Sequence, residues 1–285
     1  MIISVSGAGG FIGTALKRAF NEKGWTTKSI NRESFSMGDD EFRESKIEDC
    51  DVVINLAGAN ISRRWNESYK KEIVDSRIVT TRKIVSSILS SSNKPGLLIS
   101  ASAVDIYDSV NTHDESSSSY AGGFLGSLCK EWEKEALAAS GLIRVALPRM
   151  GLVLGTDGGA LEKMYPLFSF GLGAKIGKGD QWLSFIHIKD LVRAFIFIIE
   201  NNSISGPVNI VSPYPVTNAE FSSTFGKVLK QPVLFSVPGS ILKFIYGEGS
   251  VVLLEGHKVV PGKLTNMGFR YNYPTITNAL VNLFG

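Results

Sequence analysis

Cysteine is scarce in this chain, with only Cys50 and Cys129 among 285 residues. Two thiols make neither a disulfide framework nor a metal site. That excludes the small disulfide-stapled secreted class and points to a reduced, cytoplasmic protein. A dominant charge is also missing. Thirty Lys and Arg against 27 Asp and Glu leave +3 at pH 7. The basic doublets Arg63-Arg64 and Lys70-Lys71 extend into no longer run, so no nucleic-acid surface is expected. Long apolar runs are absent as well. Ala194–Ile199, bracketed by Arg193 and Glu200, is far too short to span a bilayer, and no basic segment leads into a signal-like apolar core. No internal repeat emerges, and the one low-complexity patch is Ser116–Ser119. What remains is a chain long enough to bury a full α/β core.

Glycine is abundant, and its placement in Met1–Gly13, MIISVSGAGGFIG, is informative. Ile2, Ile3 and Val5 read as a buried parallel strand. Gly7, Gly10 and Gly13 follow at three-residue spacing, with Gly9 extra. An amphipathic helix then starts near Phe11, carrying Ile12, Leu16, Ala19 and Phe20. One glycine can take positive φ in the turn, a second admits phosphate oxygens to the backbone, and a third lets the helix lie on the strand. Free N–H groups and the dipole at the helix start favour a phosphate. A dinucleotide site is therefore expected. The next strand, near Thr26–Ile30, ends at Asn31-Arg32. An acidic residue there would hold ribose hydroxyls, whereas a guanidinium suits a 2′-phosphate. NADP is the expected cofactor, and Glu33, one position on, keeps NAD as the alternative.

Strand-like runs continue at Asp51–Leu56, Leu97–Ser100 and Leu142–Leu147, and a further element follows at Val208–Val211. Helical patterns separate them at Glu67–Ser90, Ala121–Ala139 and Leu191–Ile199, with another at Asn218–Leu229. This alternation predicts an α/β fold with a Rossmann-like, doubly wound parallel sheet. Prolines and glycines punctuate the chain after about Lys230. Residues 1–230 are read as the dinucleotide-binding domain and 231–285 as a small C-terminal subdomain on the substrate side, the alternative being a plain extension of one core. The Glu67–Ser90 helix bears an inward stripe at Val74, Ile78, Thr81, Val85 and Ile88, which Arg77 interrupts. A guanidinium there needs a partner, either Glu72 or a cofactor phosphate.

The G-x-x-G-x-x-G spacing resembles the extended, epimerase-like branch of the short-chain dehydrogenase/reductases. Further segments converge on one subgroup: NLAGANI at Asn55–Ile61, RRWNE at Arg63–Glu67, LCKEWE at Leu128–Glu133, PRMGLVLG at Pro148–Gly155, FIHIKD at Phe185–Asp190 and EGHKVVPGKL at Glu255–Leu264. As a set they closely resemble the YfcH-type "epimerase family" proteins, an atypical branch, over essentially the whole chain. The resemblance implies an NADP-binding Rossmann-like fold followed by a small C-terminal domain of unassigned function. It implies a phosphate turn at Gly7, Gly10, Phe11, Ile12 and Gly13, and adenosine-phosphate contacts at Asn31 and Arg32. Leu56, Ala57 and Gly58 would pass beside the cofactor, Glu72 and Arg77 would touch it from a helix, and Val153 would lie near the nicotinamide end.

Extended members use a tyrosine as acid and base, a lysine four residues later to lower its pKa, and an upstream serine. An unassisted phenol, with a pKa near ~10, is a poor base at neutral pH. None of the eight tyrosines here has lysine four positions on. The tyrosine slot falls on Phe124 and the lysine slot on Leu128. Ser102, in ASAVDIY, matches the serine and is the candidate catalytic residue, with Tyr107 and Tyr120 as substitute acids. Arg149 is a candidate because ligands gather at the carboxyl ends of such strands. Cys129 reads as a small core residue, and His187 as a helix-terminus histidine bonded to backbone. Gly171–Gly179, with Lys175 and Lys178, reads either as a flap for an anionic group such as a nucleotide diphosphate or as a solvated hairpin. The expected function is an NADP-dependent oxidoreductase or epimerase-like enzyme with a nonstandard proton donor, acting on a small molecule. The alternatives are a non-catalytic NADP-binding redox sensor or scaffold, and a nucleotide-sugar epimerase.

Overall fold

The computed structural model describes residues 1–285. Six parallel strands form the main sheet: β1 (Ile2–Ser6), β2 (Thr26–Ile30), β3 (Val52–Asn55), β4 (Leu97–Ser100), β5 (Arg144–Met150) and β6 (Gly206–Ile210). Their order is β6-β5-β4-β3-β1-β2. The chain leaves β1 toward β2 on one side and returns to β3 on the other. That reversal opens a crevice between the carboxyl ends of β1 and β3, where open α/β sheets bind ligands.

Alternation along the strands sorts their side chains into two layers. Ile3, Val5, Val52, Ile54, Leu97 and Ile99 share a core with α1 (Phe11–Glu22) and the later helix Ile188–Glu200. Val53, Leu98, Val145 and Leu147 share the other with α2 (Glu67–Ser90) and α3 (Gly123–Leu137). α2 occupies the range expected of it, capped by Asn66, whose side chain accepts the Tyr69 N–H. Between β2 and β3 the chain makes only short helical turns, and Phe42 and Ile47 from them enter the second core.

A second lobe hangs on the carboxyl side of the sheet. It is built from α4 (Gly159–Ser169), α5 (Ile188–Glu200) at its base, α6 (Asn218–Val228), α7 (Gly239–Tyr246) and α8 (Ile276–Phe284). The C-terminal segment is distributed over several parts of the molecule. Leu264 and Phe269 enter the sheet core, and Ile276, Ala279 and Leu280 pack with Leu154, Phe168 and Phe225 in the lobe core. Two short strand pairs stitch it down: Phe235–Val237 on Ala174–Ile176, and Lys258–Val259 on Thr112–His113. The stretch read as a flap or hairpin, Gly171–Gly179, therefore pairs with the tail and not with itself.

Asp190 anchors the tail from the first turn of α5. Its fully buried carboxylate accepts the N–H groups of Asn272 (3.0 Å) and Tyr273 (2.8 Å) and a bond from Arg193. His187 caps the same helix, as expected, with Nδ1 accepting the Lys189 N–H at 3.1 Å. Its ring stacks 4.0 Å from that of Tyr273, and Nε2 has no partner. Burial pushes the imidazole down to about 4, against the opposing pull of Asp190. The folded state thus prefers the neutral ring. Stability from this site is complete above an unfolded-state pKa near ~6.5 and is lost as pH falls toward the folded value, up to about 3 kcal/mol. Urea titrations of wild type and His187→Asn, which keeps an acceptor for the cap, should show the variant losing about 2–3 kcal/mol less between neutral pH and pH about 4. Parallel pH curves would contradict this account.

Candidate cofactor and substrate site

The glycine turn is built by contacts that leave no room for side chains. Gly7 has φ +70°, and a Cβ there would lie 2.9 Å from the carbonyl oxygen of Leu56. A Cβ on Gly13 would come within 2.3 Å of the Gly7 carbonyl oxygen. The first contact sets the turn against the exit of β3, and the second lays α1 on the turn. Gly10 is the N-cap of α1 and offers no side-chain cap. The amides of Phe11, Ile12 and Gly13 find no protein acceptor, as the first turn of a helix requires unless a ligand supplies one.

Phe11 points away from these amides into a cup of glycines. Cβ atoms on Gly155, Gly158 and Gly159 would stand 2.6, 3.0 and 3.2 Å from its side chain. The phosphate turn and the loop after Leu152–Leu154 are thereby locked together, and Val153 packs against the sheet core at their junction.

Beneath the crevice lies a buried polar layer with no counterpart among the expected site residues. Ser6, Asn55 and Ser100 are in register across β1, β3 and β4. Ser6 Oγ donates to Asn55 Oδ1 (2.6 Å), and Asn55 Nδ2 donates to Thr81 Oγ1 (2.8 Å), which also receives the Trp132 indole N–H (2.9 Å). Ser6 Oγ in turn accepts the amides of Leu56 and Ala57 at 3.1 and 3.2 Å. The Ser6 carbonyl also accepts the Leu56 amide, and Asn55 Oδ1 the Ala57 amide, so the start of Leu56–Gly58 is held by these two residues together.

At the exit of β2, Asn31 Oδ1 is occupied by the N–H and hydroxyl of Ser34. Arg32 extends outward, 92% exposed, with Glu72 3.8 Å away. Glu72 therefore faces Arg32 and does not partner Arg77. The Arg77 guanidinium lies against Gly58, 3.0 Å from where a Cβ would be. It donates to the carbonyls of Ile73 and Ala59, both at 3.1 Å, and sits 5.3 Å from the Trp132 ring. Burial lowers its pKa, and no carboxylate pairs with it.

Ser102 and Arg149 belong to one buried cluster. Strand β4 breaks after Ser100, and Ser102-Ala103 resumes pairing beside Arg149-Met150. Ser102 Oγ donates to Glu133 at 2.6 Å. Arg149 grips the same carboxylate with two bonds of 2.7 Å and donates a third, also 2.7 Å, to the Tyr107 hydroxyl. Tyr107 donates its own proton to Asn209. Burial opposes the Arg149 charge, but the Glu133 bonds outweigh it and hold the guanidinium above its ordinary value. Burial also raises the Tyr107 phenol, which makes it a poor substitute acid, and Arg149 is 2% exposed. Glu133 is absent from the expected site, yet the sequence carries a signal for it: it shares the inward helical face of Leu128, Cys129, Trp132 and Ala136. A buried glutamate and an arginine inside an apolar strand each demand a partner. Cys129 is a core residue whose thiol burial pushes up.

A cavity of about 330 Å³ opens at the start of α3. Gly122, Gly123, Phe124 and Gly126 form one wall, and Asp105, Asp108, Glu255 and His257 contribute polar groups. Phe124 meets Trp65 edge-on, 5.3 Å between ring centres. Leu128, one turn on, is buried with Trp65 and Ile73. Val251 and the tail residues Glu255 and His257 supply the opposite side.

A model of the NAD dependent epimerase/dehydratase family matches residues 3–211. The chain belongs to this family. A second model, for a domain of unknown function (DUF1731), matches residues 237–283. The epimerase family protein SDR39U1 homolog, chloroplastic, of Arabidopsis thaliana is 39% identical, over 98% of this chain and 86% of its own length. The crystal structure of human epimerase family protein SDR39U1 (isoform 2) with NADPH superposes with a TM-score of 0.92 at 33% identity, covering 99% of each chain. A nucleoside-diphosphate sugar epimerase from Corynebacterium glutamicum superposes with a TM-score of 0.80 at 27% identity, covering all of this chain and 58% of that one. The expected fold stands: a Rossmann-like member of the epimerase/dehydratase family. No helix is long and apolar enough to cross a membrane.

In this epimerase-family chain the Glu133–Arg149 pair sets a stability prediction. Glu133→Gln leaves a buried guanidinium underpaired and should cost about 3–5 kcal/mol. Ser102→Ala removes one bond to a charged acceptor and should cost about 1.5–3 kcal/mol. Urea denaturation measures both. A Ser102→Ala protein of unchanged stability would show that the hydroxyl serves something other than Glu133.

Proposed function

We propose that this chain is an NADP-dependent oxidoreductase or epimerase-like enzyme that acts on a small molecule. The observation that carries the cofactor is the cradle at Gly7–Gly13: three amides without acceptors, at a helix start pressed onto the crevice by contacts that exclude any Cβ. These residues fit a pyrophosphate. Arg32, free but for a 3.8 Å approach to Glu72, would take the 2′-phosphate. Gly58, Arg77 and Val153 would border the rest of the dinucleotide, and the human relative crystallised with NADPH supports that choice. When bound, the nicotinamide supplies hydride exchange. Ser102 is read as a positioning residue, because its proton is already given to Glu133. The two buried, free cysteines suit a reducing compartment such as the cytoplasm.

A second reading, an NADP-binding protein without turnover, draws on Phe124 and Leu128. Neither side chain can exchange a proton, and both are fixed in a hydrophobic cluster around Trp65. The third, a nucleotide-sugar epimerase, draws on the name of the corynebacterial relative.

Two measurements test the proposal. Arg32→Asp should weaken NADPH binding by about tenfold or more, as loss of a charge-assisted phosphate pair requires, and spare NADH. Equal losses for both cofactors, read by calorimetry, would refute the 2′-phosphate assignment. Stereospecifically deuterated NADPH, incubated with a carbonyl panel, should pass its label to an alcohol product. Tight NADPH binding with no transfer across the panel favours the sensor, whereas inversion of a sugar carbon without net cofactor change favours the epimerase.

A further inference from the structure

The cavity at the start of α3 has a charge pattern that separates the substrate classes. Asp105 and Glu255 line it and accept no hydrogen bond from the protein. Asp108, also on the wall, is committed: amides of Asn111 and Val110 hold its carboxyl down to about 2, and His113 bonds it at 3.0 Å. His257 is oriented by a contact from Nδ1 to the Asp108 carbonyl oxygen at 3.2 Å. No lysine or arginine lines the cavity.

Cations around it are engaged by other groups, including Lys258, which follows His257 and sits over the Trp182 ring. Lys70 lies 5.9 Å from the Phe124 ring but is paired with Glu67 (2.9 Å) and Glu248 (2.8 Å). Lys130 donates to the Ala121 carbonyl and sits over Tyr120. Arg77 is turned to Gly58 and donates to the Ile73 and Ala59 carbonyls, although Asp105 feels its charge. Lys175 and Lys178, the candidate partners for a diphosphate, belong to the stretch that pairs with the tail strand Phe235–Val237. A diphosphate entering the cavity would meet two carboxylates that accept no hydrogen bond, the inner one, Asp105, within the field of Arg77, and no cation on the lining itself. At about 330 Å³ it falls at the lower end of the roughly 300–1,000 Å³ of ligand pockets, and low-dielectric walls amplify a single sign of charge.

We propose that this cavity receives the substrate, and that the substrate is a small hydroxy or oxo compound bearing an amine cation and no phosphate. This rests on the oxidoreductase reading and names its substrate class. The amine would be held by Asp105 and Glu255, with the reacting carbon toward Phe124. The DUF1731 segment, through Glu255 and His257, then closes the site and sets its charge.

The test uses the isotope-labelled full chain loaded with NADPH and three probes: amino-TEMPO, a cation; carboxy-TEMPO, an anion; and UDP-glucose. Amides of Gly122, Gly123 and Gly126 should be broadened about threefold more by the cationic nitroxide than by the anionic one. The gap should shrink in Glu255→Gln and close in Asp105→Asn/Glu255→Gln, with thermal unfolding confirming the fold of each. UDP-glucose should cause no saturable shift at these amides. Equal broadening by both nitroxides, or saturable UDP-glucose shifts there, would overturn the proposal. Should the double variant not fold, the single exposed Glu255→Gln still decides whether the gap shrinks. Repeating the nitroxide series without NADPH separates this failure from that of the cofactor reading: a chain that binds no NADPH but keeps the cationic preference retains the cavity and loses the oxidoreductase reading.

Discussion

The close approach of one turn to one strand exit organises the molecule. α1 lies on the β1 turn because Gly13 has no side chain, and the turn lies on the β3 exit because Gly7 has none. Any larger residue would drive helix, turn and strand apart by more than side-chain repacking can absorb. Once that contact is made, Phe11 is aimed at the loop after Leu152–Leu154, and Gly155, Gly158 and Gly159 receive its ring. The free amides of α1 then face the crevice. A backbone constraint at two positions thus fixes the direction of a helix, the seat of a distant loop and the polar groups able to cradle a pyrophosphate there.

A second constraint is electrostatic. Parallel sheets are buried on both faces, so polar groups at the strand ends must satisfy one another. Ser6, Asn55, Ser100 and Thr81 do so around the crevice, and Glu133, Arg149, Ser102, Tyr107 and Asn209 do so one strand further along. The second cluster contains a full ion pair whose geometry, bidentate at 2.7 Å, is the form in which attraction best offsets desolvation. Its effect is to hold Ser102, Tyr107 and Asn209 rigidly around one buried charge pair.

Local signals in the chain explain how much of the fold is legible in the sequence. β2, β4 and α2 are legible to the residue, because apolar runs and a 24-residue helical stripe are properties of neighbours in sequence. The crevice is legible because glycines needed for close approach fall within one short stretch. The end of β5 is not: Pro148-Arg149 reads as a strand exit, but Glu133 neutralises the arginine and lets the strand run on to Met150. Nor is the partner of Arg77 legible. The sequence offers Glu72 on the same helix, but Arg32, from another element, approaches that carboxylate. Tail residues that pair with Thr112–His113 and Ala174–Ile176 lie 146 and 61 residues further along the chain, and such pairing carries no local signature.

The substrate side follows from what the first two constraints leave open. Phe124 and Leu128 are packed with Trp65 and Ile73, so on the proposed alignment, which puts the proton-donor slot at Phe124, that slot is given to a hydrophobic cluster. On that proposal, any proton exchange comes from the other walls of the cavity. Tyr107 is withdrawn by its bonds to Arg149 and Asn209, and Asp108 is locked as an anion by amides. That leaves groups which no strand of the main sheet contributes: Asp105 and Ser109 on the segment after β4, and Glu255 and His257 on the tail. In this reading the Rossmann half holds the dinucleotide, and the identity of the second reactant is decided by the segment that folds back over it.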